Sequence, residues 1–439
     1  MPLLLLLASC NNYRASRGPA DWIYVATTGN DGTGDGSAGA PYLTIAHAIG
    51  QASAGDTVYV NAGTYTITSQ VAVPVGISIM GAGETSILLA GAALSPIISL
   101  SSVAEGTNGA QSISYIQIDG DLTAVSLIYV SGRSNVDIHH CTFVDALTHG
   151  VTFRGKVNND GAAPTTYATG NKFRNNTMTN CGSYVSDGRA GLEYSGQDGL
   201  LIHDNTISQP DRGTGYHGHC IKSVINYGYS KGVKIYDNTL TVPDYEGNGF
   251  EFAVETWNQW GIEISYNVIT GAIDLGGHFS GLKGTYDFGA SVHDNIIGFN
   301  ALLPEGVAGI YLEGDSEEIH IYRNYIKNVS TGVYLNPVGS ASDLAVLGRQ
   351  YHTYDDIYVY YNIFENIGEN AYGDNYKGWA VRLLGGDFNH LLDNMQVLNN
   401  VMIGDTDATS THSGLFIHAF GTVTNFVFRN NILRNFDYA

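Results

Sequence analysis

Charge is what this sequence has least of. Asp, Glu, Lys and Arg make up 14% of its 439 residues, where about 25% is usual. Cations are the scarcer sign, with 20 Lys and Arg against 41 Asp and Glu, for a formal net charge of −21. That deficit excludes the extended basic surfaces that nucleic acids and anionic membranes require. An anionic polymer could bind only at a local cationic patch or through a bridging divalent ion, for which Ca²⁺ suits hard oxygen ligands. Cysteine is scarce too. Cys10, Cys141, Cys181 and Cys220 have no metal-type spacing, and three in the body of the chain cannot all pair, so buried thiols are expected. No stretch approaches the roughly 20 apolar residues of a membrane helix.

Glycine and tyrosine are plentiful, at 55 and 29 residues. A charge-poor, Gly- and aromatic-rich chain without low-complexity tracts suggests an extracellular β protein. Length alone would suggest two or three domains. Internal repetition overrides that, because a solenoid grows along one axis without splitting.

The repeat is marked by an asparagine after a short alternating strand. It returns at Asn176, Asn205, Asn238, Asn267, Asn295, Asn324, Asn362, Asn400 and Asn431, in steps of 29, 33, 29, 28, 29, 38, 38 and 31 residues. One such unit cannot bury its own inner face. Units stacked about 4.8 Å apart as parallel strands share a core. Asparagine tolerates a left-handed turn and can hydrogen-bond to the equivalent residue above and below. The pattern predicts an all-β chain, a single-stranded right-handed parallel β-helix over 69–439. Its longer steps predict loops at 338–353 and 369–378. The sequence stops directly after a repeat, so a solenoid cut short at its C-terminus is expected.

Residues 21–68 read as a capping segment: a strand at 22–26, a Gly/Asp loop at 28–40, a helix near 42–53 with Ile45, Ala48 and Ile49 on one face, and a strand at 57–60. A cap is needed because an open end exposes unpaired strand edges and core. The loop GNDGTGDGSAG resembles a phosphate or Ca²⁺ loop but lacks the Lys-Ser/Thr of a P-loop, so a solvated turn is expected. Residues 1–20 read as signal and tether. Leu7-Ala8-Ser9-Cys10 resembles the lipobox of bacterial lipoproteins, which implies lipidation at Cys10 and a secreted or lipid-anchored location at the bacterial cell envelope.

A second strand recurs in each rung, and its outward positions hold the scarce charges. Aligned on the asparagines, the outward row reads Arg154, Glu193, Lys222, Glu251, Asp274, Tyr311 and Arg382. Lys222 and Glu251, 29 residues apart, are expected on adjacent rungs, as are Asn226 and Glu255. His217 and His219 precede Lys222, and Trp257 and Trp260 follow. Aromatic rings beside carboxylates are a sugar-site composition. Arg154, Trp257, Tyr311 and Arg382 are therefore candidate substrate contacts, and Lys222, Glu251, Asp274, Glu193 and His219 candidate catalytic groups.

Two chemistries fit. In β-elimination Lys222 removes the proton α to a uronate carboxylate while a cation neutralises that carboxylate. Asn226, Glu251 and Glu255 would hold the Ca²⁺. In glycoside hydrolysis two carboxyls act as a pair. Adjacent rungs (Glu251 and Asp274) would place them about 5 Å apart, suited to retention, and two rungs (Glu193 and Glu251) about 9–10 Å, near the inverting range.

The repeat as a whole resembles the pectin-lyase-like β-helix proteins. Within it, the segment Ile221 to Asn226 (IKSVIN) resembles the Lys-Ser-x-x-Asn segment of chondroitinase-B-like and alginate lyases. That resemblance implies Lys222 as the base and nearby Asn and Glu residues as Ca²⁺ ligands. It also implies an arginine one rung later, where this sequence has Glu251 and Glu255. A polysaccharide lyase acting on an acidic, uronate-containing polymer is the leading expectation. A glycoside hydrolase with paired carboxylates, or a non-catalytic glycan-binding adhesin, is the alternative. A monomer is expected.

Overall fold

A computed structural model describes residues 22–436, apart from 157–164, 183–188, 211–217, 225–228, 244–251, 258, 277–286, 303–306, 315, 337–351, 369–377, 385–389, 406–411 and 419–420. The predicted loops therefore fall largely outside the described residues, as do Cys10, His217, Asn226 and Glu251.

The chain is all-β with parallel pairing throughout its ladders. Short strands stack into a 31-stranded sheet and a 12-stranded sheet. In the larger one, Phe173, Ile202, Ile235, Ile264, Val292, Ile321, Val359 and Val397 lie in register on successive rungs. In the smaller one Leu192, Ile221, Val254, Ile273, Ile310, Val333 and Val381 do the same. All fifteen are fully buried. Strand alternation delivers one apolar side chain per rung to each inner column, and the columns merge into one core from Ile23 to Met402. Cys141, Cys181 and Cys220 are free and buried in that core.

The nine asparagines form a continuous ladder. From Asn176 to Asn400 each Nδ2 donates to the next Oδ1 at 2.9–3.1 Å. Each backbone N–H donates to the same oxygen. Every interior Oδ1 thus satisfies two donors that burial would otherwise orphan. The left-handed turn is displaced from the expected position. It falls on the preceding residue, Asn175, Asp204, Asp237, Tyr266, Asp294, Arg323, Tyr361, Asn399 or Asn430, at φ of 53–60°. The turn therefore aims the asparagine inward and need not be asparagine itself.

At the N-terminal end one helix, Ile45–Gln51, buries Ile45, Ala48 and Ile49. Its position is compatible with the expected cap. The Gly/Asp loop is a turn: Asp31 accepts from Leu43 N, Thr44 N and Thr44 Oγ1 at 2.7–3.0 Å. Thr44 in turn accepts from His47 N to start the helix. Among the described residues no helix is long and apolar enough to cross a membrane.

Candidate functional site

The 12-stranded sheet carries the charged row on its outer face. Strand register aligns Thr152, Glu193, Lys222, Glu255, Asp274, Tyr311, Tyr334, Arg382 and Phe416 on nine successive rungs. Two residues further along the strands runs a second outward column, with Trp257, Gly276, Glu313 and Asn336 in register.

Three sequence expectations change. Glu255 stands in register with Lys222, in the place expected of Glu251, while Asn226 and Glu251 themselves lie outside the described residues. The strand holding Lys222 follows Asn205, so its offset to the next rung is the 33-residue step from Asn205 to Asn238, not the 29-residue step after it. Arg154 drops out of the row, where Thr152 stands. Arg154 belongs to the neighbouring column, in register with Ser131, its guanidinium carbon 5.9 Å from the Tyr129 ring centroid. Tyr334 enters the row between Tyr311 and Arg382. Trp260 lies in the other sheet, packed against Tyr229 with ring centroids 5.1 Å apart. Glu193, Lys222, Asp274, Tyr311 and Arg382 fall where the alternation puts them.

Glu255 is the hub, and it is only 7% exposed. Its Oε2 accepts from Lys222 Nζ and lies 2.9 Å from His219 Nε2. Its Oε1 accepts from Trp257 Nε1 at 2.6 Å. His219 is fixed from its other side, with Nδ1 2.8 Å from the Phe252 carbonyl oxygen. Burial raises the Glu255 pKa. The charges of His219 and Lys222, with hydrogen bonds from both, outweigh it and hold the carboxyl well below the usual range.

Glu313 is driven the other way. Burial first, then the Glu255 charge, push its pKa up to about 7, against a hydrogen bond with Asp274 and the charge of Lys222. Asp274, 1% exposed, lies between them in the rung order. Tyr311 is buried beside this pair, its phenol accepting from Asn336 Nδ2 at 2.5 Å. Upstream, His149 Nδ1 lies 3.0 Å from Glu193 Oε1, without hydrogen-bond alignment. Downstream, the Arg382 guanidinium sits 4.2 Å from the Trp379 ring centroid and 4.5 Å from that of Tyr334.

The donor chemistry does not fit Ca²⁺ at Glu255. Both its oxygens already accept from Lys222, His219 and Trp257, so a metal ion would have to displace these donors. Among the described residues no cluster of three or more His, Cys, Asp or Glu has metal-holding geometry.

His149 and Glu313 were not singled out by the sequence. Glu313 was findable, since it stands two residues after Tyr311 and so on the same outward face. His149 was not, because its contact depends on how the start of its strand turns.

The family described as protein of unknown function (DUF1565) matches residues 27–351, and the chain belongs to it. No curated protein sequence matches. Among solved structures, the A-module of mannuronan C-5 epimerase AlgE6 from Azotobacter vinelandii is similar at a TM-score of 0.53 and 13% identity, over 86% of this chain and 90% of that one. PfbA, a surface adhesin of Streptococcus pneumoniae, gives 0.53 and 13%, over 82% and 86%. The Agl-KA catalytic domain gives 0.52 and 15%, over 87% and 64%. These likenesses show the fold, a right-handed parallel β-helix of the pectin-lyase-like kind.

Proposed function

We propose that this DUF1565 member is a carbohydrate-active β-helix protein that binds a polysaccharide along the outer face of the 12-stranded sheet and hydrolyses a glycosidic bond at Glu255, Asp274 and Glu313. The observation that carries this reading is the opposite displacement of two neighbouring carboxyls, Glu255 held low and Glu313 raised to about 7. Environments that push paired acids apart assign acid and base roles. Glu313 keeps a proton near neutral pH, shared with Asp274, and can deliver it to the departing glycosidic oxygen. Glu255 stays ionised two rungs away, in the adjoining column. An ionised carboxylate beside a protonated one is the pairing on which glycoside hydrolases rely.

β-Elimination is the second reading, favoured by the place of Lys222 in the same row. It asks Lys222 to give up a proton while its ammonium is bonded to Glu255, and it asks a uronate carboxylate to approach several carboxyls. Among the fold neighbours, a mannuronan epimerase supports carbohydrate chemistry in this architecture, and an adhesin supports a surface role. Secretion with lipid anchoring at Cys10 belongs to the same proposal, and a Cys10→Ser chain that still incorporates labelled fatty acid would remove it.

The deciding experiment is incubation with alginate, pectate, chondroitin sulfate and neutral glucans, mannans and galactans. New reducing ends without the ultraviolet absorbance of an unsaturated uronate are expected. Appearance of that absorbance would establish a lyase instead. Binding without any product would leave an adhesin-like module.

A further inference from the structure

The 31-stranded sheet carries a threonine array on its outer face. One outward column reads Thr142, Thr177, Thr206, Thr239 and Val268 on five successive rungs. A second, two residues along the same strands, reads Val144, Thr179, Ser208, Thr241 and Thr270. The residues between the columns, from Phe143 to Ile269, are buried in the core. From Thr177 to Thr270 the rungs pair in register without a bulge. Thr177, Thr179, Thr206, Thr239 and Val268 are exposed, and Ser208, Thr241 and Thr270 are half-buried. Threonine suits an exposed strand, but that preference does not explain the array. The preceding strands on the same rungs hold Arg174, His203, Tyr236 and Ser265 at one outward position. Two hydroxyls meet across rungs, Thr179 Oγ1 and Ser208 Oγ at 3.2 Å. Among the described residues, those of Thr177, Thr206, Thr239, Thr241 and Thr270 make no hydrogen bond within the protein.

We infer that this array is an ice-binding face, a function separate from hydrolysis and carried by the other sheet. The spacing carries the inference. Rungs repeat about every 4.8 Å, and alternate residues of one strand stand about 6.7 Å apart. Water oxygens bonded tetrahedrally at about 2.75 Å repeat every ~4.5 Å along one direction of hexagonal ice and every ~7.3 Å perpendicular to it. Hydroxyls on the first grid can therefore hold water on the second, while the Thr and Val methyls order the water between them. Over these rungs neither column holds an ionised group or an aromatic ring, so nothing there stacks on a sugar. Beyond Val268 the first column continues as Ile296, Tyr325 and Ile363, and beyond Thr270 the second as Gly298, Lys327 and Glu365, so the match ends there.

The test uses the full chain in dilute buffer. Ice-crystal shape, the gap between melting and freezing points, and recrystallisation of a frozen film are measured, beside adsorption to crystalline cellulose and chitin. Faceted ice and slowed recrystallisation are expected. Both should be lost in Thr206→Lys, which puts a charged stem in the middle of the grid. Both should be weakened in Thr206→Val, which keeps the methyl and drops the hydroxyl. Tyr236→Lys, in the same sheet but outside the array, should leave both unchanged. Product release at the 12-stranded sheet should be the same in all three. Should Thr206→Lys melt early, Thr206→Val combined with Thr239→Val carries the test. Unaltered ice growth with the parent chain, or growth that the array variants still restrain as the parent does, overturns the inference. Adsorption to a crystalline glycan that Thr206→Lys abolishes, with no effect on ice, also overturns it and makes the face a polysaccharide surface.

Discussion

The asparagine ladder and the outer row of the 12-stranded sheet are made by the same operation, stacking one side chain per rung in parallel register, yet they hold opposite kinds of chemistry. Along the ladder every rung repeats one residue, and each carboxamide both donates to and accepts from its neighbours. No charge is involved, and no member depends on a particular partner. Along the row each rung differs. Glu193, Lys222, Glu255 and Asp274 follow one another, and Glu255 gathers three donors while Glu313 is left holding a proton. Repetition lets burial be fully satisfied. Variation leaves groups whose ionisation is strained, and such groups can exchange protons with a substrate.

That contrast can be broken by substitution. Glu313→Gln should have the largest effect, a fall of about 10²- to 10⁴-fold in product release, the usual worth of a general acid. The fold should survive it. In the parent the alkaline limb of the pH–activity profile should lie near 7, where Glu313 loses its proton. Its folded pKa is raised above the ordinary glutamate value of 4.5, so the folded chain binds more protons than the unfolded one between 4.5 and about 7. Stability from this group therefore falls as pH rises through that window, and melting curves of Glu313→Gln should lack the fall. Glu255 has the opposite sign. Its contribution is present above 4.5 and is lost as pH drops below that value toward its folded pKa. A Glu313→Gln protein with undiminished activity would remove the acid assignment.

Glu255→Ala should come next, at about 3–5 kcal/mol of lost stability by denaturant titration, because it takes from half-buried Lys222 and buried His219 the carboxylate that both bond. Replacing both ends, Lys222→Met with Glu255→Leu, should recover most of that stability and none of the activity. If the double variant melts no higher than Glu255→Ala, the row is part of the scaffold and the contrast with the ladder fails.

Asn267→Ala should cost about 1–3 kcal/mol, because the Asn238 backbone N–H loses its acceptor in the core and Nδ2 loses one of its acceptors, with activity nearly unchanged. Asn431→Ala, at the half-buried last rung, should cost about 0.5–1.5 kcal/mol. Equal costs at the two positions would mean that burial does not set the worth of a ladder bond.

Much of the scaffold was legible in sequence, because periodicity survives without knowledge of loop lengths. The nine asparagines, the alternating apolar columns, the free buried thiols and the helix face at Ile45, Ala48 and Ile49 all follow from local pattern. The left-handed residue was misplaced by one because the ladder asparagine and its turn are adjacent, and only backbone geometry separates them. At the site, alternation found Glu193, Lys222, Asp274, Tyr311 and Arg382. Glu251 was preferred to Glu255 because a variable segment lies between Lys222 and Asn238, and a repeat count cannot say on which side of a strand the extra residues fall.

The sequence by itself determined that this chain stacks, since each rung's apolar face has no other way to be buried, and it determined which side chains face outward, since strand alternation is a local property. Only the tertiary structure decided which outward residues meet across rungs. That choice depends on register, and register is set by loop lengths and packing that act between rungs rather than within one. The charged row was visible from the first reading. Its partners, Lys222 with Glu255, Glu255 with Trp257, and Asp274 with Glu313, exist only once the rungs are laid on one another.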